Sequence, residues 1–293
     1  MSAAVHDGTT PAADKLHDVS TETEVRLRST TVNVGRQRLR VMVEHRGAGR
    51  PFLLINGIGA TGDLFRTFRR HFADRETIAF DAPGVGGSPH QLYPPTMRQL
   101  AGVVAGLVDE LGHEQVDVLG LSWGGALAQE LAIRHKRTVR RLVLAATMPG
   151  WTSLPGRPAA VSILMSPLRY YSPDYLERVA PTLYGGAIRH HPSLMREHAR
   201  VRAAQPPSQI GYYHQIAALR RWTSLPWLHR LPQRTLVLAG DDDPIIPLAN
   251  ARLMASRLQA GRLHVVHEGG HLFVFTHAEE TATTVREFLD SPY

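Results

Sequence analysis

Short apolar segments rich in β-branched residues alternate with amphipathic segments along most of the chain. The first two such segments interleave polar residues and predict an antiparallel pair, whereas the later ones are continuously apolar, as in strands buried on both faces. The order of elements predicts an α/β fold, with a mostly parallel central sheet and helices on both faces. The predicted strands are 24–27, 38–44, 52–55, 77–80, 116–119, 141–146, 234–239 and 263–266, and the predicted helices are 64–72, 97–111, 126–134, 248–258 and 278–289.

Between residues 148 and 231 this alternation stops. Prolines recur there between short helical pieces, and the segment holds most of the tyrosines and tryptophans. We expect a helical cap inserted above the carboxyl ends of the parallel strands, where open α/β sheets bind their ligands. The predicted organisation is a flexible N-terminal extension (1–22), a core made of 23–147 and 232–293, and the cap (148–231).

The composition narrows the possible functions. The chain has 293 residues and no cysteine, which excludes disulfides, thiol catalysis and thiolate metal sites. Residues 1–20 lack the apolar segment of a signal peptide and no stretch suits a bilayer span, so we expect a cytoplasmic protein. The net charge of +7 is densest at 134–141, a run expected to be a solvated helix end; no nucleic-acid motif accompanies it.

The most specific motif lies between a predicted strand and a predicted helix. Gly120-Leu-Ser-Trp-Gly124 has the pattern G-x-S-x-G. A serine on such a sharp turn needs strained backbone angles and close approach of neighbouring elements, and the two glycines leave room for both. Because the hydroxyl is then exposed at the top of the sheet, Ser122 is the candidate nucleophile.

A serine hydroxyl is a poor nucleophile at neutral pH, so it needs a base and a group that orients that base. His271, in a glycine-containing loop after the last strand, is the candidate base, whereas His264 and His267 are expected to be core or edge residues. Of the three aspartates at 241–243, Asp243 is preferred because it stands three residues after the glycine in G-x-x-D-x-I-I-P, which leaves the other two for the turn. The chain order Ser, Asp, His is that of the α/β-hydrolase pattern.

Two backbone N–H groups are candidates for an oxyanion hole. Trp123 follows the serine, and Ile58 lies in the glycine-containing loop after strand 52–55. Each such donor typically contributes about 3 kcal/mol of transition-state stabilisation. The glycine-rich loop 81–88 has neither P-loop nor dinucleotide spacing, so we expect a structural turn there. No metal-ligand cluster stands out, and we expect no cofactor.

The chain from about residue 30 resembles the α/β-hydrolase superfamily. Several segments resemble the intracellular depolymerases of medium-chain-length polyhydroxyalkanoate, a storage polyester: 56–60, 81–89, 122–129, 184–186, 222–229, 239–247 and 270–273. The resemblance implies Ser122 as the nucleophile, Asp243 and His271 as its partners, and a granule polyester as the substrate. It also implies a cytoplasmic protein that associates with storage granules.

The expected activity is therefore that of a cofactor-free serine esterase acting on a hydrophobic ester or polyester. A general carboxylesterase or a carbon–carbon bond hydrolase with the same fold remains an alternative, as does an acyltransferase. A non-enzymatic receptor or granule-coat protein fits the intact triad less well. Haloalkane dehalogenases and epoxide hydrolases need an aspartate at the position of Ser122. The sequence leaves the oligomeric state and the lining of the acyl pocket open.

Overall fold

The computed structural model describes residues 27–44 and 47–292, so the N-terminal extension lies outside the described residues. The strands are β1 Leu27–Val34, β2 Gln37–Glu44, β3 Gly49–Ile55, β4 Arg75–Phe80, β5 Val116–Leu121, β6 Val139–Ala145, β7 Arg234–Gly240 and β8 Gly261–Val266. The α-helices are α1 Arg66–Arg69, α2 Met97–Glu110, α3 Trp123–Arg134, α4 Pro158–Leu164, α5 Leu168–Tyr171, α6 Pro173–Tyr184, α7 Gly186–His190, α8 Met195–Ala204, α9 Gln209–Arg220, α10 Leu248–Arg257, α11 Phe273–Thr276 and α12 Ala278–Asp290.

All eight strands belong to one sheet in the order β1-β2-β4-β3-β5-β6-β7-β8. The pairs β1–β2 and β2–β4 are antiparallel, and every pair from β4 to β8 along this order is parallel. The mostly parallel sheet is therefore confirmed. Its parallel strands place the loops after β3, β5, β7 and β8 at one edge of the sheet, where the candidate site residues lie.

Helices cover both faces of the sheet, as the continuous apolar strands predict. On β3, Leu53 and Ile55 belong to an apolar cluster that includes residues of α2, α3 and α10. Phe52 and Leu54 point to the opposite face and join a second cluster with residues of α1 and α12. Because successive side chains of a strand alternate between faces, a fully apolar strand can bury both of its sides.

Two predicted elements differ from the structure. Residues 24–26 of the first predicted strand lie outside the described residues; β1 continues from Leu27 to Val34, beyond the predicted end at 27, and Gly35 and Arg36 form the turn before β2. Its side chains from Ser29 onward are exposed or only partly buried, because β1 is an edge strand, so its apolar pattern is weak. The helix predicted at 64–72 is a single α-helical turn, α1, between the 3₁₀ turns Gly62–Phe65 and Arg70–Phe72. The spacing of the phenylalanines in this segment determines which face is buried, but it does not distinguish α-helical from 3₁₀ backbone hydrogen bonds.

The charge pattern predicts that the basic run at 134–141 is a solvated helix end, but two of its arginines have structural partners. Arg141 is buried and donates hydrogen bonds to the backbone carbonyls of Phe288 and Ser291. Arg140 binds both carboxylate oxygens of Asp117, at 2.7 and 2.5 Å. These arginines tie β5 and β6 to the carboxyl-terminal end of α12. Sequence alone missed this because it gives no sign of which arginines are buried.

Helices α4 to α9 form an insertion between β6 and β7. Its two ends meet in an isolated β-bridge between Gly150 and Thr223, which closes the insertion as a loop on the sheet domain. In the described ranges, no helix has the length and apolar character needed to cross a membrane.

Candidate active site

Ser122 occupies a strained turn between β5 and α3. Its φ of 54° lies in the left-handed region that non-glycine residues rarely adopt. A Cβ atom at Gly120 would lie 2.4 Å from the carbonyl oxygen of Gly124, and one at Gly124 would lie 2.2 Å from that of Ile55. Both distances are too short for a side chain, so both glycines of the motif are sterically required. The strained serine turn expected from G-x-S-x-G is present.

A chain of hydrogen bonds joins Ser122, His271 and Asp243. The Oγ of Ser122 lies 2.9 Å from Nε2 of His271, and Nδ1 of His271 lies 2.7 Å from Oδ2 of Asp243. The side chains of His271 and Asp243 are 5% and 1% exposed. In this arrangement the imidazole can accept the serine proton while the carboxylate holds the ring and stabilises its charged form.

The carboxylate of Asp243 is fixed by the backbone that follows it. Its Oδ1 accepts hydrogen bonds from the N–H groups of Ile245 and Ile246, at 2.8 and 2.9 Å. Both oxygens are therefore paired, and the side chain has one orientation toward His271. The pattern G-x-x-D-x-I-I-P is explained by this turn, because the two isoleucines supply the donors.

The two neighbouring aspartates, Asp241 and Asp242, bind other partners. Asp241 pairs with the exposed His267 at 2.9 Å, and this hydrogen bond raises the pKa of the His267 imidazole. Asp242 binds the guanidinium of Arg189 at 2.8 Å and accepts a hydrogen bond from the N–H of Gly186. Asp242 thus ties the insertion to the loop after β7, and Asp243 is the aspartate that contacts His271.

The loop after β3 is held in place beside Ser122. The carboxamide of Asn56 accepts a hydrogen bond from the N–H of Gly57 at 2.8 Å and donates one to the carbonyl of Thr61 at 2.7 Å. A Cβ atom at Gly57 would lie only 3.5 Å from Cβ of Ser122, so the loop closely approaches the serine. Ile58 follows in this loop. Trp123 is the first residue of α3, where backbone N–H groups have no partner inside the helix.

The insertion contacts both of these segments through residues that no sequence motif marks. The side-chain oxygen of Gln215 on α9 accepts a hydrogen bond from the N–H of Gly59 at 2.8 Å. Its backbone carbonyl accepts another from the indole Nε1 of Trp123 at 3.0 Å. The hydroxyl of Tyr170 donates to the carbonyl of Ile58. No motif marks Gln215 or Tyr170, since their side chains bind backbone atoms that are distant in sequence.

The segment Tyr184-Gly-Gly186 packs against the loop that carries His271. The carbonyl of Tyr184 accepts a hydrogen bond from the N–H of His271 at 2.7 Å. Gly185 and Gly186 have φ values of 62° and 53°, and a Cβ atom at Gly186 would lie 2.1 Å from the nitrogen of Gly270. The two glycines therefore allow the insertion backbone to lie directly on the histidine loop.

Two cavities meet at Ser122, and both also contact Ile58, Leu164 and Ile245. The smaller, which we call the arginine cavity, measures about 30 Å³ and contains His271. Its other polar side chains are those of Asn56, Arg169, Tyr170, Tyr184 and Arg202. The larger, the apolar cavity, measures about 270 Å³ and is lined mainly by Met148, Trp151, Leu154, Val161, Met165, Ile216, Leu219 and Ile246. Trp151 and Leu154, 67% and 55% exposed, mark its rim.

The loop at 81–88 is a structural turn, as expected. The buried carboxylate of Asp81 accepts hydrogen bonds from the N–H groups of Gly62 and Gly87 and from Arg40. Burial raises the pKa of Asp81 despite these bonds. Within residues 27–44 and 47–292, no group of three histidine, aspartate or glutamate side chains is placed to hold a metal ion.

Comparison with known proteins agrees with this fold. The family model described as the alpha/beta hydrolase fold matches residues 50–278. Among solved structures, a meta-cleavage product hydrolase from Pseudomonas fluorescens IP01 superposes with a TM-score of 0.76 at 21% identity, over 89% of this chain and 97% of that one. A thermophilic esterase from Thermogutta terrifontis gives 0.74 at 24% identity, over 89% and 98%.

The sequence relatives include hydrolases of several kinds. A poly(3-hydroxyalkanoate) depolymerase from Ectopseudomonas oleovorans is 46% identical over 241 residues, which is 82% of this chain and 84% of that protein. A 2-hydroxymuconate semialdehyde hydrolase from Pseudomonas putida is 29% identical over 274 residues, 87% of this chain and 94% of that one. The resemblance to polyhydroxyalkanoate depolymerases is thus confirmed. The chain belongs to the alpha/beta hydrolase family.

Proposed function

We propose that the chain is a serine hydrolase of ester bonds whose natural substrate is a medium-chain-length poly(3-hydroxyalkanoate). The observation that carries the serine mechanism is the hydrogen-bonded series Ser122, His271 and Asp243. The class of ester hydrolase is supported by the family and by the depolymerase that is 46% identical.

The proposed reaction has two halves. In the first, His271 takes the proton of Ser122, whose Oγ attacks the ester carbonyl while Asp243 stabilises the imidazolium. The backbone N–H groups of Ile58 and Trp123 bind the oxyanion of the tetrahedral intermediate. His271 then returns the proton to the leaving alcohol oxygen as the ester C–O bond breaks, which leaves an acyl group on Ser122. In the second half, His271 activates water, and the acid is released.

The apolar cavity supports a substrate with alkyl side chains. It lies beside Ser122, and its lining is mainly apolar. A cavity of about 270 Å³ can bury an alkyl chain of medium length, and such burial contributes about 0.8 kcal/mol for each CH₂ group. We assign this cavity to the acyl side chain of the monomer that is transferred to Ser122.

We propose that the insertion, residues 148–231, is a cap that holds the polyester. Several large apolar side chains on it are exposed, namely Trp151, Leu154, Met165, Leu168, Ile210 and Tyr213. Exposed apolar side chains of this size favour contact with a hydrophobic surface. A polyester granule in the cytoplasm is such a surface, so we place the protein there.

Carbon–carbon bond hydrolysis is the second candidate, and the 2-hydroxymuconate semialdehyde hydrolases among the relatives favour it. They are 29% and 28% identical, against 46% for the depolymerase, so the polyester is preferred. An acyltransferase would use the same acyl-enzyme with an alcohol in place of water.

Initial rates on three substrate types separate these functions. We expect hydrolysis of amorphous medium-chain polyester and of soluble p-nitrophenyl esters, with a maximum near octanoate in a series from acetate to dodecanoate. If the protein hydrolyses a ring-cleavage product but not the polyester, carbon–carbon hydrolysis is favoured. Activity confined to soluble esters would leave a general carboxylesterase. Added methanol should not divert most of the product into methyl esters, as it would for an acyltransferase.

A further inference from the structure

Two arginines are buried together in the wall of the arginine cavity. Arg169 and Arg202 are 2% and 4% exposed, although both belong to the insertion. Their guanidinium carbons lie 4.7 and 5.2 Å from the ring centroid of Tyr170, so both charges stack on one aromatic ring. The hydroxyl of that ring binds the carbonyl of Ile58, which connects the arginine pair to the loop beside Ser122.

The hydrogen bonds of this pair do not neutralise its charge. Arg169 donates through Nη1 to the hydroxyl of Tyr212 at 2.7 Å and to the carbonyl of Ser166 at 2.9 Å, and Arg202 donates to the hydroxyl of Tyr184. The Nε atoms of both arginines are buried without a hydrogen-bond partner. The ion pairs of the insertion in the described residues are made by other arginines, and neither Arg169 nor Arg202 forms one with an aspartate or glutamate. Two buried positive charges without a counter-charge are costly, and a bound anion would offset that cost.

The position of His271 shows which part of a substrate would meet the arginines. His271 lines the arginine cavity but not the apolar cavity, and its Nε2 is the atom that returns a proton to the leaving oxygen. The leaving oxygen would therefore face the arginine side of Ser122. The volume of the arginine cavity, about 30 Å³, can take a compact polar group such as a carboxylate.

We propose that Arg169 and Arg202 form an anion subsite for the free carboxylate of the leaving group. This inference rests on the proposed function, because a 3-hydroxyacid at the carboxyl end of a polyester chain carries such a carboxylate close to the scissile ester. As Ser122 Oγ bonds to the acyl carbon, the ester C–O bond breaks and its oxygen takes the proton from His271. The 3-hydroxyacid then leaves with its carboxylate still ionised. The chain would be shortened from its carboxyl end, one monomer at a time.

The test compares two dimers of 3-hydroxyoctanoate, one with a free carboxylate and one capped as the primary carboxamide, which has nearly the same shape and no charge. For the wild type we expect kcat/KM to be about tenfold or more higher for the free acid, mainly through KM. The Arg202→Met variant should bring this ratio close to one, and Arg202→Lys should retain part of it. Arg200→Met changes an exposed arginine of the same helix and should keep the wild-type ratio. The subsite would be overturned if the wild type showed equal kcat/KM values for the two dimers. This comparison does not depend on whether any variant folds.

A second readout separates failure of the subsite from failure of the proposed function. Free 3-hydroxyoctanoate and its amide are compared as inhibitors of p-nitrophenyl octanoate hydrolysis. If Ser122-dependent cleavage is equal for both dimers and both inhibitors are equally weak, the function stands and the subsite is wrong. If neither dimer is cleaved, the polyester assignment fails. In that case the subsite is still supported if the free acid inhibits about tenfold more strongly than the amide and if Arg202→Met abolishes this difference. Equal inhibition by the acid and the amide refutes the subsite.

Discussion

Gln215 and Gly59 are joined by a hydrogen bond from the backbone N–H of the glycine to the side-chain oxygen of the glutamine, at 2.8 Å. This contact places an insertion helix directly on the loop that carries Ile58. The backbone carbonyl of Gln215 also accepts the indole N–H of Trp123, so one residue touches both segments proposed to supply the oxyanion hole. The insertion is therefore part of the site's framework.

Replacing Gln215 should impair catalysis without abolishing binding. In Gln215→Met the N–H of Gly59 loses its acceptor and the loop beside Ser122 is less well fixed. We expect kcat for p-nitrophenyl octanoate to fall about 10- to 100-fold, with KM changed little, because the oxyanion donors act in the transition state. Steady-state kinetics check this, with the exposed Gln209→Ala on the same helix as the matched control. A change confined to KM would show that Gln215 does not position the donors.

The three neighbouring aspartates allow a stringent comparison. Asp243→Asn keeps the size of the side chain but removes the charge that stabilises the imidazolium of His271, and we expect kcat to fall about 10⁴-fold. Asp241→Asn should leave kcat within about twofold, because Asp241 contacts the exposed His267 and a surface pair of this kind contributes little. Similar losses in both variants would mean that the acid has been assigned to the wrong residue.

The apolar cavity should determine the acyl chain length. Ile216 on α9 lines it, so Ile216→Trp would fill part of its volume. We expect the best p-nitrophenyl ester to shift from octanoate toward butanoate, with roughly a tenfold loss on octanoate, since each CH₂ group excluded from burial costs about 0.8 kcal/mol. Ile210→Trp, at an exposed position of the same helix, is the control and should keep the wild-type profile. If the preferred acyl chain length of Ile216→Trp is unchanged, the acyl chain does not bind in this cavity.

His198 should make the fold sensitive to acid. It packs on Phe275, and its Nδ1 is buried without a partner. Burial and the nearby Arg202 lower the pKa of His198 from 6.5 to about 4. Between these two pH values the unfolded chain binds the proton and the folded chain does not, so stability falls as the pH drops from 6.5 to 4. The loss attributable to this group is at most about 3 kcal/mol.

The measurement for His198 is urea unfolding of the wild type and His198→Phe at several pH values. Other titrating groups are common to both proteins and cancel in the difference. We expect the wild type to lose stability relative to the variant as the pH falls below 6.5. A difference in unfolding free energy that stays constant with pH would contradict this account, because it would mean that His198 has the same pKa in the folded and unfolded states.

The serine turn was predictable because its constraints come from backbone atoms at fixed positions. Gly120 is required by a contact within its own strand–turn–helix unit, and Gly124 by a contact with the backbone at the end of the neighbouring strand β3. Asp243 is held by donors two and three residues further on. Such constraints leave a fixed spacing in the sequence. The continuous apolar strands likewise predicted a sheet with helices on both faces.

The contacts made by the insertion were not predictable in this way. Gln215 and Tyr170 bind backbone atoms of the loop after β3, which any sequence there would supply, so no complementary residue types record the pairing. Arg169 and Arg202 looked like ordinary members of a basic chain, and only the fold shows that they are buried. The extent of the edge strand β1 as far as Val34 was not predicted, because its exposed side chains carry little apolar pattern.

The central claim, Ser122-dependent cleavage of a polyester, is tested most directly by acid release from purified medium-chain polyhydroxyalkanoate granules. The wild type and Ser122→Ala are compared, with p-nitrophenyl octanoate in parallel. We expect the wild type to release 3-hydroxyalkanoic acids and the variant to release none above background, on both substrates. Acid release that persists in Ser122→Ala would contradict the serine mechanism. Serine-dependent turnover of the soluble ester alone would contradict the polyester assignment.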